Sequence, residues 1–158
     1  VYKWLMLSSH YRNPLNMTDK IVESVKKEVA KVDNVVKQAS LYLQVNDVEA
    51  LEYDKAVVDE MVTALSDDLN TSLALTNILN QVKVLNQLMR VKEKNNDTIA
   101  RSYATLLKMC DVMGFVFEPK SLNDEELELY KKWMEAKAQK NFEKADQYRA
   151  QLIQKGII

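Results

Sequence analysis

Apolar residues recur at alternating steps of three and four along most of this 158-residue chain. This spacing places the apolar side chains on one face of an α-helix, where they form the seam of a helical bundle. Only two glycines and two prolines interrupt the pattern, whereas a sheet-rich fold of this length needs many tight turns. The sequence therefore predicts an all-α fold. The longest series consists of Val22, Val25, Val29, Val32, Val36, Ala39 and Leu43.

Breaks in the apolar pattern divide the first 114 residues into helices. A short helix is predicted over residues 2–12, interrupted by Pro14, and Thr18 is a good start for the long helix that follows. A helix over residues 48–65 ends at the polar segment 66–71, and Thr71 is the predicted N-cap of the next helix. A further helix follows the break at residues 94–97. It ends at Gly114, the residue best suited to a left-handed helix terminus.

The last 44 residues predict a second, smaller unit. The segment 115–119 is short and ends in proline, so it reads as a packed connector. Asn123 and Glu126 have the spacing of a capping box. One helix is expected to about Gln139, with a turn near Lys140 and Asn141, and a last helix to Lys155 before Gly156. Two such helices form an antiparallel αα-hairpin.

Charge and cysteine content exclude several function classes. The formal charge is −1, so no general attraction to nucleic acid is expected, but residues 130–158 carry seven basic residues against three acidic ones. The single cysteine and single histidine cannot build a zinc site of the usual Cys/His kind. The lone cysteine favours a reducing compartment, and no apolar run is long enough for a membrane span, so a cytoplasmic location is expected.

Few residues are candidates for chemistry. Asp67 and Asp68 lack a nearby histidine or third carboxylate, so we expect them to stabilise the start of the helix that follows rather than to hold a metal or catalyse. Cys110 lies on an apolar stripe and is expected to fill the core. The segment His10–Arg12 is a polar cluster that suits either a surface cap or a ligand contact. No catalytic residue and no metal site is predicted.

The C-terminal hairpin carries the side chains best suited to RNA. Lysines, an arginine and two aromatic residues supply donors and stacking surfaces for unpaired bases, and Asp146 could accept hydrogen bonds from base amino or imino groups. A solvated amphipathic helix would have a similar composition, and on composition alone that alternative is the more common. The residues concerned are Lys137, Lys140, Phe142, Lys144, Tyr148 and Arg149.

Three segments, read in order, resemble cysteinyl-tRNA synthetases. Residues 5–16 (LMLSSHYRNPLN) resemble the family segment L-x-S-x-H-Y-R-S-P-L-N. Residues 64–71 (ALSDDLNT) are similar to the block A-M-D-D-D-x-N-T-P, and residues 135–149 (EAKAQKNFEKADQYR) to the hairpin A-R-x-x-K-D-[WF]-x-x-A-D-x-x-R. Arginyl-tRNA synthetases share a related helical domain but lack the first block, so they fit less well.

The resemblance implies a domain plan. Residues 1–17 would be a remnant of the connection to a catalytic domain, and residues 18–114 a bundle of the DALR type that binds the anticodon stem. A connector over 115–123 would lead to a truncated anticodon-recognition hairpin over 124–158. The fold expected is thus an antiparallel helical bundle of the class I synthetase anticodon-binding type, followed by a small αα-hairpin.

The resemblance also implies site residues. The positions of Lys137 and Asp146 read anticodon bases in the family, with Lys140, Phe142 and Arg149 as supporting positions. His10, Tyr11 and Arg12 would contact tRNA or a neighbouring domain. Lys137 replaces a family arginine, and an ammonium cannot reproduce the planar fork of a guanidinium. Ser66 and Ser72 replace an aspartate and a proline of the second block, and the family's usual C-terminal end is absent after Ile158.

The implied function is binding of tRNA(Cys) during ATP-dependent cysteinylation by a catalytic domain of the same polypeptide. The family's ATP-binding motifs and zinc ligands are absent here, so ATP and zinc are expected only of the parent enzyme, and this chain alone should be inactive. We also expect the first dozen residues to be poorly packed, because their neighbours on the catalytic side are missing. The competing hypothesis is a helical protein-interaction module without RNA binding.

Overall fold

In the computed structural model, which describes residues 1–14 and 17–158, every regular element is a helix. The predicted all-α class is therefore confirmed for the described residues. Leu15 and Asn16, the last two residues of the first family-like segment, lie outside them. Residues 1–14 and 17–158 contain seven helices: α1 (Tyr2–Leu7), α2 (Asp19–Val45), α3 (Lys55–Ser66), α4 (Thr71–Arg90), α5 (Asn96–Val112), α6 (Asp124–Ala138) and α7 (Phe142–Gln154).

Helices α2 to α5 enclose the main core, and α1 packs against α2 and α4. The apolar seams predicted from the sequence point inward: Val32 and Ala39 of α2, Ile78 and Leu85 of α4 and Leu106 of α5 are all fully buried. Burial of these side chains is the main stabilising contribution to such a bundle. Helix α2 is about 40 Å long at 1.5 Å per residue, and it contacts α1, α4, α5 and α6.

The predicted start and stop signals hold at several helix ends. The side chain of Thr18 accepts a hydrogen bond from the amide of Ile21 at the start of α2, at 3.4 Å. Asn123 and Glu126 form a full capping box at the start of α6. Gly114 has φ +68° and closes α5, as its freedom to adopt the left-handed conformation predicted.

Three helix boundaries differ from the sequence predictions. Helix α1 ends at Leu7 and not near residue 12, because the chain turns at Ser8, whose hydroxyl donates to the carbonyl of Leu5. Helix α3 begins at Lys55 and not at residue 48, because Asp54 caps it. Asn70 and not Thr71 caps α4, its side chain accepting from the amide of Leu73 at 3.1 Å.

The prediction that the first dozen residues pack poorly is wrong for α1. Trp4 and Leu5 are 1% and 2% exposed and belong to the main core. The indole of Trp4 donates to the Glu28 carboxylate at 2.9 Å and its ring lies 4.9 Å from that of Phe115. An aromatic side chain with one polar handle can satisfy both contacts at the edge of a core. The exposed side chains of this segment are others: Val1, Tyr2, Lys3, Met6, Tyr11 and Arg12.

The last two helices form the predicted hairpin and have a small core of their own. Leu122, Leu152 and Ile157 are buried together. Leu41 of α2 packs against this cluster, so the hairpin shares its apolar contacts with the long helix. Gln44 of α2 adds a polar link: its side-chain amide donates to the carbonyl of Lys120 and accepts from the amide of Leu122, at 3.1 and 2.8 Å. The connector before α6 is thereby held against the C-terminal end of α2.

Candidate functional site

The turn between α6 and α7 sets the geometry of the candidate site. The amide of Asn141 donates to the carbonyl of Ala136, and that of Lys140 donates to the carbonyl of Lys137, at 2.9 and 3.1 Å. This pair of hydrogen bonds commonly ends a helix at a residue in the left-handed conformation. Lys140 has that conformation, with φ +56°. Asn141 then caps α7 by accepting from the amide of Lys144. The turn is therefore tightly defined by its own backbone.

Lys137 and Asp146 occupy equivalent positions on the two helices of the hairpin. Each follows a buried alanine, Ala136 on α6 and Ala145 on α7, and the two helices pack against each other. One residue corresponds to a rotation of about 100° on a helix. Because the two helices run in opposite directions, equal rotations from their facing alanines lead to the same side of the hairpin. Both side chains are exposed.

Lys137 has a defined surrounding, whereas Asp146 is open to solvent. The ammonium of Lys137 lies 4.4 Å from the centroid of the Trp133 ring, within the range of a cation–π contact. Phe142, at the turn, is 70% exposed, an unusual position for a phenylalanine side chain. Lys140 and Arg149 are also exposed. The arrangement presents cations, a carboxylate and an unburied ring on one small element.

The second candidate cluster, His10 to Arg12, contacts the loop before α4. The Tyr11 hydroxyl donates to a carboxylate oxygen of Asp68 at 2.8 Å, and the Arg12 guanidinium donates to the same oxygen at 3.2 Å. The His10 ring lies 3.1 Å from the backbone oxygen of Asp68 and stacks on the ring of Tyr11. The hydrogen bond to Asp68 raises the pKa of Tyr11. Two of the three family-like segments thus touch each other.

This contact changes the interpretation of Asp68. We expected the aspartate pair to stabilise the start of α4, but that end is capped by Asn70, and the carboxylate of Asp68 serves Tyr11 and Arg12 instead. Asp68 and Leu69 both have positive φ, 51° and 53°, a conformation that costs a non-glycine residue about 1–2 kcal/mol. Sequence reasoning missed the contact because 56 residues separate its two sides.

The structure does not bring the two clusters together. Helix α1 meets α2 at Glu28, while the connector to the hairpin meets α2 at Gln44. Sixteen residues of helix separate these points, about 24 Å along the axis. A ligand that touched both clusters would have to extend along the bundle.

Sequence reasoning also missed a groove between α2 and α6. On α2 it is lined by a second stripe of residues beside the core seam, again at steps of three and four. That spacing was a usable signal, but the stripe is of mixed polarity and is hidden by the stronger apolar pattern. Only the packing of α6 turns it into a concave surface. The α2 residues of the stripe are Asn34, Lys37, Gln38, Leu41, Tyr42 and Val45.

The remaining candidates carry no visible chemistry. Cys110 is buried in the main core, and burial raises the pKa of its thiol to about 12, so the reactive thiolate is disfavoured at neutral pH. Within residues 1–14 and 17–158, no three carboxylate, histidine or cysteine side chains are grouped as metal ligands. In the same residues no helix is both long and apolar enough to cross a membrane.

Comparison with known proteins gives the class first. Residues 60–118 match the model of the DALR domain, a stretch that covers α3 from Glu60, α4, α5 and most of the segment Phe115–Pro119. The fold and this match define a helical bundle that contains a DALR domain.

The particular family follows from similarity over the full chain. The cysteine–tRNA ligase of Mesoplasma florum is 30% identical over 160 residues, and that of Mycoplasma mycoides is 31% identical over 163 residues, covering 100% and 99% of this chain. The corresponding protein of Lachnoclostridium phytofermentans is 30% identical over 174 residues. The chain spans 35–37% of the length of these three relatives. It belongs to the cysteinyl-tRNA synthetase family and corresponds to the C-terminal region of its members.

Proposed function

We propose that this chain binds tRNA(Cys) and positions its anticodon stem and loop for ATP-dependent cysteinylation by a catalytic domain of the same polypeptide. The observation that carries the proposal is the similarity of the whole chain to cysteine–tRNA ligases, with the DALR match inside it. In this plan residues 18–114 bind the stem and residues 124–158 read the anticodon, with 115–123 as connector and 1–17 leading from the catalytic domain.

The proposed base-reading residues are Lys137 and Asp146. A cysteine anticodon, G-C-A, offers guanine O6 and N7 to an ammonium, and amino or imino donors to a carboxylate. Support comes from the shared side of the hairpin on which the two residues lie and from the exposure of both. Lys140 and Arg149 would contact the backbone, and the exposed ring of Phe142 would stack on a base.

The cluster of His10, Tyr11 and Arg12 is proposed to have a different role. Its side chains are engaged by Asp68, which supports a role in fixing the first segment to the bundle. A contact with tRNA or with the catalytic domain would then be made by the surface that this cluster builds. Helix α1, which precedes the cluster, meets α2 at Glu28, some 24 Å along the axis from the hairpin attachment at Gln44. The cluster would therefore touch a part of the tRNA other than the anticodon.

The catalytic chemistry is assigned to the rest of the polypeptide. ATP and zinc would be bound there, in the cytoplasm. We therefore expect the 158-residue chain alone to catalyse no cysteine-dependent ATP–pyrophosphate exchange. Exchange activity that co-purifies with the chain and scales with its concentration would contradict this division of labour.

Binding of the 158-residue chain to tRNA(Cys) transcripts tests the proposal directly. One transcript carries the G-C-A anticodon and the other an altered anticodon. Losing one base contact costs about 1–3 kcal/mol of discrimination, so Asp146→Ala is expected to reduce the preference for G-C-A by roughly 5- to 100-fold. Lys137→Ala should reduce it less, because its ammonium is a single point charge.

Glu143→Ala is the matched control, since Glu143 is an exposed acidic residue on the same helix. It should keep the preference for G-C-A. Equal affinity of the unmodified chain for both transcripts would refute anticodon reading. Failure to bind either one would favour the protein-interaction alternative.

A further inference from the structure

The groove between α2 and α6 has a volume of about 980 Å³. One wall is the second stripe of α2 with Asn46, and the other is formed by α6 together with residues Gly156 to Ile158; Met89 and Lys94 complete the lining. The two walls are linked because Gln44 of α2 binds the connector and Leu41 of α2 packs against the small core of the hairpin. The groove is therefore a product of how the two units are joined.

The charge of the groove is one-sided. Four lysines line it, namely Lys37, Lys94, Lys131 and Lys137, and no carboxylate side chain does so among the described residues. Lys37 pairs with Asp33 at 2.7 Å. Within the part of the chain that the structure describes, the other three form no ion pair. In a chain of net charge −1, this concentration of cations selects an anionic ligand.

Aromatic and apolar side chains lie between the lysines. Trp133 and Tyr130 line the groove and meet edge to face, 5.3 Å apart, with Met134 beside them. The ammonium of Lys137 lies over the Trp133 ring. A surface that held only phosphate would need no rings, whereas a planar base gains about 1–3 kcal/mol from stacking on an aromatic side chain.

We propose that this groove binds unpaired nucleotides of RNA, with phosphates on Lys37, Lys94 and Lys131 and a base on the aromatic wall around Trp133. This inference rests on the proposed function and extends it to residues outside the family-like hairpin segment. A duplex would offer its phosphates but keep its bases stacked inside, so it could not use the aromatic wall. An acidic peptide would use the lysines but gain nothing from stacking.

The first test compares two neighbouring lysines. Lys131 lines the groove, whereas Lys132 pairs with Glu128 and lies against the opposite side of the hairpin, near Tyr148. The probe is a fluorescein-labelled single-stranded RNA of eight uridines, followed by anisotropy across a salt series. Lys131→Gln is expected to weaken binding roughly 3- to 10-fold at low salt and to reduce the salt slope by about 0.7. Lys132→Gln should stay within roughly 2-fold of the unmodified chain, since its cation faces away from the groove.

The second test uses the fluorescence of Trp133. The other tryptophan, Trp4, is 1% exposed in the main core. Stacking of a base should therefore quench the half-buried Trp133, and the quenching should disappear in Trp133→Phe. That variant keeps an aromatic ring, so RNA affinity should change less than with Trp133→Leu. Circular dichroism melting checks that both variants fold.

Three outcomes would overturn the inference. Equal effects of Lys131→Gln and Lys132→Gln would show only general charge attraction. Binding without quenching of Trp133 would place the RNA elsewhere. Poly-glutamate that competes as well as the RNA would identify an acidic-peptide site.

Failure of the groove and failure of the proposed function give different results. If tRNA(Cys) binds with anticodon preference but is insensitive to Lys131 and Trp133, the groove proposal alone is wrong. If the oligonucleotide binds in the groove while anticodon preference is absent, the groove stands and the anticodon role does not.

Discussion

The bundle and the C-terminal hairpin are both helical, but they are stabilised differently. The bundle buries long apolar side chains from five helices in one cluster, whereas the hairpin buries Leu122, Leu152 and Ile157 and closes its helices over two alanines. The hairpin also packs against Leu41 of α2, and the connector before it is hydrogen-bonded to Gln44. A region with little core of its own can keep more of its surface free for polar contacts. The difference therefore agrees with the proposed roles, in which the bundle is the support and the hairpin is the binding element.

The largest expected effect is on stability, and it should differ between the core of the bundle and the core of the hairpin. Leu85 in the bundle and Leu152 in the hairpin are both 0% exposed. Leu85→Ala should lower the free energy of unfolding of the whole chain by about 2–5 kcal/mol, because it leaves a cavity in the main core. Leu152→Ala should chiefly open the hairpin. Hydrogen exchange measures both: protection lost throughout the chain for Leu85→Ala, and confined to residues 120–158 for Leu152→Ala.

A loss of protection throughout the chain in Leu152→Ala would contradict the distinction between the two cores. If Leu152→Ala exposes the amides of α4 and α5 to the same extent as those of α7, the two regions form one cooperative unit. The bundle would then not be independent of the hairpin.

An intermediate effect is expected where the two regions join. Gln44→Ala removes two hydrogen bonds to the connector, at Lys120 and Leu122. Leaving these backbone groups without partners costs about 1–3 kcal/mol, and the loss should appear as faster amide exchange in residues 120–158 with α4 and α5 unchanged. Gln87→Ala, an exposed glutamine on α4, is the matched control and should show neither effect. Equal exchange in both variants would mean that apolar contacts alone hold the hairpin.

The smallest expected effect is a pH dependence confined to the hairpin. The hydrogen bond from Lys120, at 2.8 Å, and that from the backbone of Asn123 lower the pKa of Glu126 below 4.5. A lowered pKa in the folded state means that the stabilisation is complete above about pH 4.5 and is lost as the pH falls through the folded value. Protection of α6 and α7 against exchange should therefore fall at acidic pH.

Glu126→Gln tests this assignment. The variant should lose the part of the pH dependence that the unmodified hairpin shows below pH 4.5, while the bundle keeps its own. Glu128→Gln is the comparison, since the pKa of Glu128 is also lowered, by Lys132, but at an exposed pair. Its effect should be smaller, because exposed ion pairs contribute little.

Local sequence signals predicted most of the fold. Apolar steps of three and four located α2, α4 and α5, and the Asn123–Glu126 spacing located the start of α6, because such patterns depend on neighbours within two turns. The same signals misplaced the start of α3 at residue 48, since the segment 48–54 is apolar enough to extend the pattern although it is not helical. Boundaries set by one capping side chain, such as Asp54, are the least secure part of such a prediction.

The candidate site also has features that local sequence determines and features that depend on tertiary packing. Sequence alone determined the all-α class and the hairpin. Through the resemblance to a family, it also identified Lys137 and Asp146 as candidate base-reading residues. Tertiary structure decided that Trp4 is a core residue, that Asp68 binds Tyr11 and Arg12 from 56 residues away, and that a stripe of α2 faces α6 across a groove. The physical reason is range. Helix formation and capping act between residues a few positions apart, whereas a groove or an interlocked pair of segments exists only after distant parts of the chain have packed together.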